Sequence, residues 1–375
     1  METVLSQRVL GLTPSVTFEI SARAAQMRAE RKQIISFAIG EPDFGTPLYI
    51  CNAAKTAIDQ GRTKYTATAG ILELREAICA KLLKQNGLKY RPEQIVVSNG
   101  AKQALFNALM ALIDPGDEVI IPAPYWLTYV EIVKLCGGIG VFTDGIENIP
   151  QYITGKTKAV IINSPNNPTG EVIEETRLIE LAKTLQTTNI WVISDEIYEQ
   201  LVYDGAVHVS IAKFHEKTVV INGLSKSYAM TGWRIGYTAT SSMELSNAMA
   251  GLQSHCTSGI ITPAQFAALE ALTNPVGDKT VTWMIQTFDQ RRKYMIERLE
   301  KMPGLEFIKP QGAFYVMIKV NATAEDLLEH AEIATVPGDA FGAPGFIRLS
   351  YTVSKEDLKT GLDRLEQYLK SLAKK

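Results

Sequence analysis

Four cysteines and four histidines in 375 residues are too few and too scattered for a disulfide framework or a metal cluster. Cys51, Cys79, Cys136 and Cys256 form no CxxC pair, and His208, His215, His255 and His330 form no HxH or HExxH spacing. Each reads as a core filler or a surface side chain, and no metal is expected. Unpaired thiols suit a reducing cytoplasm. No apolar run approaches the ~18 residues needed to cross a bilayer. The opening METVLSQRVLGLTPS lacks the basic start, apolar stretch and small-residue cleavage site of a secretory leader. Charge of one sign is missing too, since 38 Lys plus Arg meet 40 Asp plus Glu. The mildly basic end at 370–375 reads as a solvated helix, so neither nucleic acid nor membrane is expected as a partner. What is present is a 46% hydrophobic, 21% charged chain, rich enough in apolar side chains to exclude disorder. Its length suits one large domain or two coupled ones.

The middle of the chain repeats a short β-branched run, a turn and a helical pattern. The runs at 94–98, 117–121, 139–143, 159–163, 190–194, 218–222 and 234–238 predict strands. They lack strict alternation, as strands buried on both faces do. Helical patterns at 101–113 and 174–185 lie between them, which predicts an α/β fold with a mostly parallel sheet covered on both sides. The connection 143–158 leaves little room for a helix. The texture changes before Pro47 and after about Asp278. A long amphipathic stretch at 280–302 precedes strands at 314–320 and 346–351 and helices at 325–331 and 355–373. These predict a large domain over 47–277 and a smaller α+β domain made from 1–46 and 278–375.

Ligands of open α/β sheets sit outside the carboxyl ends of the strands, so the residues there carry the functional reading. After the first run, Asn99-Gly100-Ala101-Lys102 opens a helix. Free N–H groups and the helix dipole suit a phosphate there, although a plain turn also uses Gly. Pro122-Ala123-Pro124-Tyr125-Trp126 stiffens an aromatic pair that either stacks on a flat ring or fills the core. Ser164-Pro165-Asn166-Asn167-Pro168-Thr169-Gly170 has more Pro and Asn than a turn needs. Such a segment holds an amide rigidly, ready to bind an oxygen without adding charge. Asp195 ends an apolar strand, where a carboxylate is costly unless paired with a cation; helical spacing would bring Tyr198 beside it. Lys226 follows another buried strand, where desolvation would make it a nucleophilic amine, and Ser225 and Arg234 stand ready for a phosphate. Taken together these roles match pyridoxal 5′-phosphate (PLP), which needs a lysine imine, a pyridinium partner, a phenolate partner and a phosphate cup.

Three segments, NSPNNPTG (163–170), SDEIY (194–198) and SKSYAMTGWRIGY (225–237), resemble the signatures of class I aminotransferases. The likeness extends through AIGEPDFGTP (38–47), TKYTATAGILELREAI (63–78), NGAKQALFNAL (99–109) and IRLSY (347–351). It is nearest to bacterial and plastid aspartate aminotransferases, in the branch that includes prephenate aminotransferases. The resemblance implies fold type I, with a seven-stranded, mostly parallel sheet in a large domain plus a smaller α+β domain. It implies that Lys226 bonds the cofactor and shuttles the substrate α-proton, and that Asp195 pairs with the pyridine nitrogen. Asn167 and Tyr198 would hold the phenolic oxygen and Trp126 would stack on the ring. Gly100, Ala101 and Lys102 would hold the phosphate through backbone N–H groups, with Ser225 and Arg234 beside it. Tyr65 would reach the phosphate of a partner subunit, making the working unit a homodimer with shared sites. Arg348 would bind the substrate α-carboxylate, and Gly40 would let the backbone approach it. Lys102 and Thr17 would meet a distal carboxylate.

The implied reaction is a ping-pong transfer of an amino group between L-aspartate and 2-oxoglutarate, with prephenate as a further acceptor. Aromatic- or alanine-preferring aminotransferases and PLP-dependent lyases use the same cofactor residues. A PLP-sensing transcription regulator would place a winged DNA-binding domain upstream, and the stretch before Gly40 is too short to hold one. The stretches 138–158 and 320–335 look shorter than in relatives, and Gly45 replaces a frequent Asp with no function attached.

Overall fold

The structure is a computed structural model and describes residues 5–30, 32–302 and 304–372. A two-residue strand, β1 (Ile35–Ser36), comes first. The central sheet follows: β2 (Ile95–Asn99), β3 (Glu118–Ala123), β4 (Ile139–Asp144), β5 (Thr157–Asn163), β6 (Trp191–Asp195), β7 (Thr218–Gly223) and β8 (Ile235–Thr240). Its order is β2-β8-β7-β6-β5-β3-β4, and every pairing is parallel except those of β8. All seven expected strands are present, with ends within two residues of the expected ones. The connection 143–158 holds only the short 3-10 turn Ile149–Tyr152, as its length allows.

Alternate residues of each strand feed different cores, which is why the strands read as continuous apolar runs. Val96, Val119, Ile161, Ile193 and Val219 pack on one face under the helices Ala101–Leu112, Thr128–Leu135 and Met243–Thr257. On the other face, Val160, Ile162 and Val192 meet the helix Glu175–Leu185, while Val97, Val220 and Ala239 meet the helix Thr262–Thr273. That last helix was not anticipated. Ala264, Ala267, Ala268 and Ala271 face the core, and small side chains give little amphipathic contrast.

Five short strands complete the fold: β9 (Glu306–Ile308), β10 (Tyr315–Lys319), β11 (Ile333–Ala334), β12 (Val336–Pro337) and β13 (Phe346–Ser350). Strands β9, β10, β12 and β13 form an antiparallel sheet in the order β12-β13-β10-β9, and β11 pairs in parallel with β1. The helix Val16–Ala29 contributes Ala24 and Met27 to a cluster with Met317, Leu328, Val336 and Phe341, so the amino-terminal segment packs on the carboxyl-terminal strands. The helices expected at 280–302 and 325–331 run Gly277–Glu300 and Ala324–His330. The closing helix is Lys355–Leu372, and its expected last residue, Ala373, lies outside the described residues.

The reversal of β8 positions the site. Because β8 runs against its neighbours, its first residue lies at the edge where the other strands end, with Ile235 opposite Asn99 and Gly236 opposite Gly223. A Cβ on Gly236 would collide with the backbone of Gly100 and Ala101. Gly236→Ala is therefore expected to lower stability by about 1–3 kcal/mol, the usual cost of overpacking, read as a lower urea midpoint with unchanged slope.

Candidate active site

A cleft of about 570 Å³ opens at that edge, lined by residues from β5, β6, the segments after β2, β3 and β7, the amino-terminal segment and β13. Thr17, Gly40, Ala101, Lys102, Trp126, Asn167, Asp195, Tyr198, Ser225, Lys226, Arg234 and Arg348 all line it. Of the residues singled out in the sequence, Gly100 and Tyr65 do not. Gly100 stands one step outside as the N-cap of Ala101–Leu112, with φ of 83°. Tyr65 is 92% exposed and lies away from the cleft.

Asp195 is buried where β6 ends. The Tyr129 hydroxyl donates to its Oδ2 at 2.7 Å and the Ile197 N–H to its Oδ1 at 3.2 Å. Burial outweighs these two bonds and pushes the carboxyl up to about 6. Tyr198 follows on a turn rather than a helix, which corrects the helical spacing expected there. Its hydroxyl shares a 2.9 Å hydrogen bond with that of Tyr315.

Lys226 is desolvated as its position after β7 predicts, and burial lowers its amine to about 8. Its Nζ donates to the Gly40 carbonyl at 2.5 Å. Gly40 has no room for a side chain, because a Cβ there would strike the Tyr315 hydroxyl. Among the described residues no ion pair joins Lys226 to Asp195, and the weak attraction between them does not offset the desolvation of either group.

Arg348, on β13, is also buried, and desolvation lowers its pKa. Its Nη1 donates to Asn167 Oδ1 at 2.9 Å and its Nη2 to Ala38 O at 2.7 Å, while its guanidinium carbon lies 4.4 Å from the Tyr315 ring centroid. The bond to Asn167 fixes that amide, leaving Nδ2 free to donate. Asn163 braces the loop from below: its Oδ1 accepts from the Asn167 N–H at 2.8 Å and its Nδ2 donates to Asp195 O at 2.9 Å.

The phosphate-like corner is built from backbone. The first turn of Ala101–Leu112 has no side-chain cap; the Gln103 N–H bonds the Gly100 carbonyl at 3.1 Å, which leaves the N–H groups of Ala101 and Lys102 for a ligand. Arg234 stands beside it at φ 56°, a left-handed conformation unusual for a non-glycine residue, with Nη1 donating to Thr231 O at 3.0 Å. Lys102 Nζ lies 5.0 Å above the Trp126 ring, its pKa lowered by burial and by Arg234.

Sequence reasoning missed Tyr129, Tyr315 and Asn163. Tyr129 lies one helical turn beyond Trp126, which could have drawn attention to it. Asn163 sits inside a segment already chosen, and Tyr315 carries no local signal among the core aromatics of β10.

The chain matches the family model described as aminotransferase class I and II over residues 32–365. The chain belongs to that family. It is 42% identical to the aspartate/prephenate aminotransferase of Thermus thermophilus, across 97% of this chain and 98% of that one. It is also 42% identical to the aspartate aminotransferase of Geobacillus stearothermophilus, across 98% and 100%. Among solved structures, the Thermus thermophilus aspartate aminotransferase with maleate superposes with a TM-score of 0.94 at 41% identity, covering 98% of this chain and 100% of that one. The fold is thus the fold type I of PLP-dependent transferases.

PLP is the cofactor of this aminotransferase family. The cleft fits it: an uncapped helix start with Arg234 for a phosphate, a buried and unneutralised Asp195 for a cationic ring nitrogen, and a desolvated amine for an aldehyde.

The raised carboxyl of Asp195 carries a cost when no cofactor is bound. A folded-state pKa of about 6 against about 3.9 in the unfolded chain means that stability falls as pH rises between these values. In cofactor-free protein, Asp195→Asn should raise stability at pH 7 by up to about 3 kcal/mol, at 1.36 kcal/mol per unit. The gain should shrink towards pH 4. A pH series of urea midpoints for the two proteins checks both the sign and the window.

Proposed function

We propose that this aminotransferase moves an amino group between L-aspartate and 2-oxoglutarate by a ping-pong cycle, with prephenate as a further acceptor. The observation that carries the reading is the desolvated Lys226 amine facing one cleft with an unneutralised Asp195 and a buried Arg348. The names of the Thermus and Geobacillus relatives, and the dicarboxylate maleate held by the Thermus structure, support the substrate class.

When bound, PLP supplies the electron sink that lets the α-proton leave. The chain's own residues do the rest. Lys226, close to half neutral near pH 8, would hold the cofactor through its amine and, once the substrate amine has taken its place at that carbon, would be free to carry the α-proton. Asp195, oriented by Tyr129, stays ionised opposite the ring nitrogen. The free Nδ2 of Asn167 and the Tyr198 hydroxyl hold the phenolic oxygen, and Trp126 covers the ring. The N–H groups of the Gly100–Lys102 turn, the Ser225 hydroxyl and Arg234 take the phosphate. Arg348 trades its bonds to Asn167 and Ala38 for the α-carboxylate, a bidentate contact.

The working unit is a homodimer in which Tyr65 completes the partner's site. Tyr65, Leu48 and Ile261 are exposed, and Thr262 Oγ1 donates to Lys64 O at 2.8 Å, which brings the chain neighbours of Tyr65 and Ile261 together. The chain divides into a large domain, 47–277, and a small domain, 1–46 with 278–375; the separate carboxyl-terminal sheet and the packing of Val16–Ala29 on it support that division. No described helix is long and apolar enough to cross a membrane, and the four unpaired cysteines support a cytoplasmic setting.

Borohydride treatment of the loaded protein should fix the cofactor on Lys226, read by peptide mass; recovery on another lysine would sink the assignment. Lys102→Ala should lower kcat/KM for aspartate and glutamate by about 1.5–3 kcal/mol, the worth of a charge-assisted hydrogen bond, and leave alanine little changed. An equal loss for both substrate classes would point to a damaged phosphate cup instead. Mixing inactive Tyr65→Ala and Lys226→Ala proteins should restore activity through hybrid dimers, and no recovery despite proven subunit exchange counts against the shared site.

A further inference from the structure

Behind the Asp195–Tyr198 turn lies a second set of charged groups that faces away from the cleft. Glu196 is fully buried. Its Oε1 accepts from Ser194 Oγ at 2.8 Å and Ser210 Oγ at 2.5 Å, and its Oε2 lies 3.2 Å from His208 Nε2. Glu199 is paired with Lys81 through Oε1 and accepts from Asn86 Nδ2 at 2.6 Å through Oε2. The histidine nitrogen and the carboxylate oxygens lie within 4.8 Å of one another, and the cation already among them is the Lys81 ammonium.

Two buried carboxylates meet one ammonium, so a neutral imidazole leaves one negative charge uncompensated, whereas an imidazolium closes the balance. An unpaired buried charge is costly, and the cluster therefore favours the protonated ring. The groups facing His208 are Glu196 and Glu199 from the turn and Lys81 from the helix Leu72–Lys81; the two carboxylates outweigh burial and raise its pKa. Tyr90, Tyr228 and Tyr237 also feel these carboxylates, and burial keeps all three protonated. His208 lines a groove together with Gln85, Asn86, Gln200, Val207 and Ile285.

We infer that His208 is a positioning residue: its imidazolium neutralises Glu196 directly behind Asp195 and thereby keeps the Asp195 carboxylate ionised for the cofactor's ring nitrogen. This rests on the reading of Asp195 given above. Glu196 adjoins Asp195 in the chain, and its charge is among the influences that raise the Asp195 carboxyl. When His208 loses its proton, that like charge is unscreened and Asp195 ionises less readily. The sign follows from a raised histidine pKa: the support is complete below the ordinary value near 6.5 and is lost as pH rises through the raised value.

The test uses the full-length, PLP-loaded protein. With only four histidines in the chain, ring-labelled histidine NMR with His208→Asn as the assignment control follows each titration. His208 should titrate above the ordinary histidine value, and Glu196→Gln should bring it down. His208→Gln should weaken PLP binding about ten-fold at pH 7, equivalent to one unit on Asp195. Glu196→Gln/His208→Gln should restore it, because removing both charges leaves Glu199 and Lys81 balanced. A His208 that titrates at or below the ordinary value, or a double variant as weak as the single one, overturns the inference. Should His208→Gln fail to fold, the wild-type and Glu196→Gln titrations still decide it. Asp195→Asn separates the two readings: PLP affinity unchanged in that variant defeats the reading of Asp195, whereas a loss there with none in His208→Gln defeats this inference alone.

Discussion

A carboxylate and an amine are held out of water at one sheet edge without being paired to each other. Everything else in the cleft follows from that constraint. Burial raises Asp195 to about 6 and lowers Lys226 to about 8, so each is kept near the pH at which it changes charge. An ion pair between them would relieve both costs and remove both reactivities, giving an ordinary carboxylate and an ordinary ammonium. Instead Lys226 donates to a neutral carbonyl, Gly40 O, and Asp195 accepts from a neutral phenol, Tyr129. Neutral partners orient the two groups while leaving their charge demand unmet, which is the state a cationic ring nitrogen and an aldehyde can satisfy together.

The fold keeps these groups apart with rigid, mostly local devices. Asp195 is fixed by the strand that ends on it and by Asn163 on the neighbouring strand, which bonds its carbonyl. The Gly40 carbonyl belongs to a segment pinned at both ends. Ahead of it, Ser350 N–H donates to Phe37 O at 2.8 Å and Arg348 to Ala38 O. Beyond it, Arg291 grips Asp43 with two bonds of 2.7 and 2.9 Å, and Phe44 packs on Trp283 and Phe288. Strand β8, the one reversed strand of the sheet, delivers Arg234 to the same edge. The carboxyl-terminal sheet and the central sheet therefore both reach the cleft, and neither completes it alone.

Most of this was legible in the sequence because it is written locally. The seven buried strands are apolar bursts set off by turns, and the residues after them lie on one edge by the geometry of a parallel sheet. Asn167, Asp195, Lys226 and Arg234 were therefore accessible to reasoning from position alone. Arg348 and Gly40 were not, because nothing near either residue shows that a strand 300 residues away lies beside it; only the resemblance to a family supplied them. Tyr315 was missed for the same reason, since its neighbour Phe314 is core and no pattern tells the two apart. The Glu196–His208–Lys81 cluster was hidden for a further reason. Its members come from three separated stretches, and nothing local to any of them shows that the fold buries them together.

Arg348 shows how such a buried cation discriminates among ligands. Its desolvation cost is already met in the folded chain, and two of its donors are occupied by the oxygens of Asn167 and Ala38. Its Nε has no partner, so a ligand at this guanidinium need not only exchange hydrogen bonds. A neutral amide would still gain little, because neutral hydrogen bonds contribute only about 0.5–1.5 kcal/mol each. A carboxylate brings charge to a site where water does not screen it, and bonds to charged groups contribute about 1.5–3 kcal/mol. Selection for an acid over its amide thus rests chiefly on the charge difference, and it depends on Arg348 remaining as buried as β13 and Phe341 keep it.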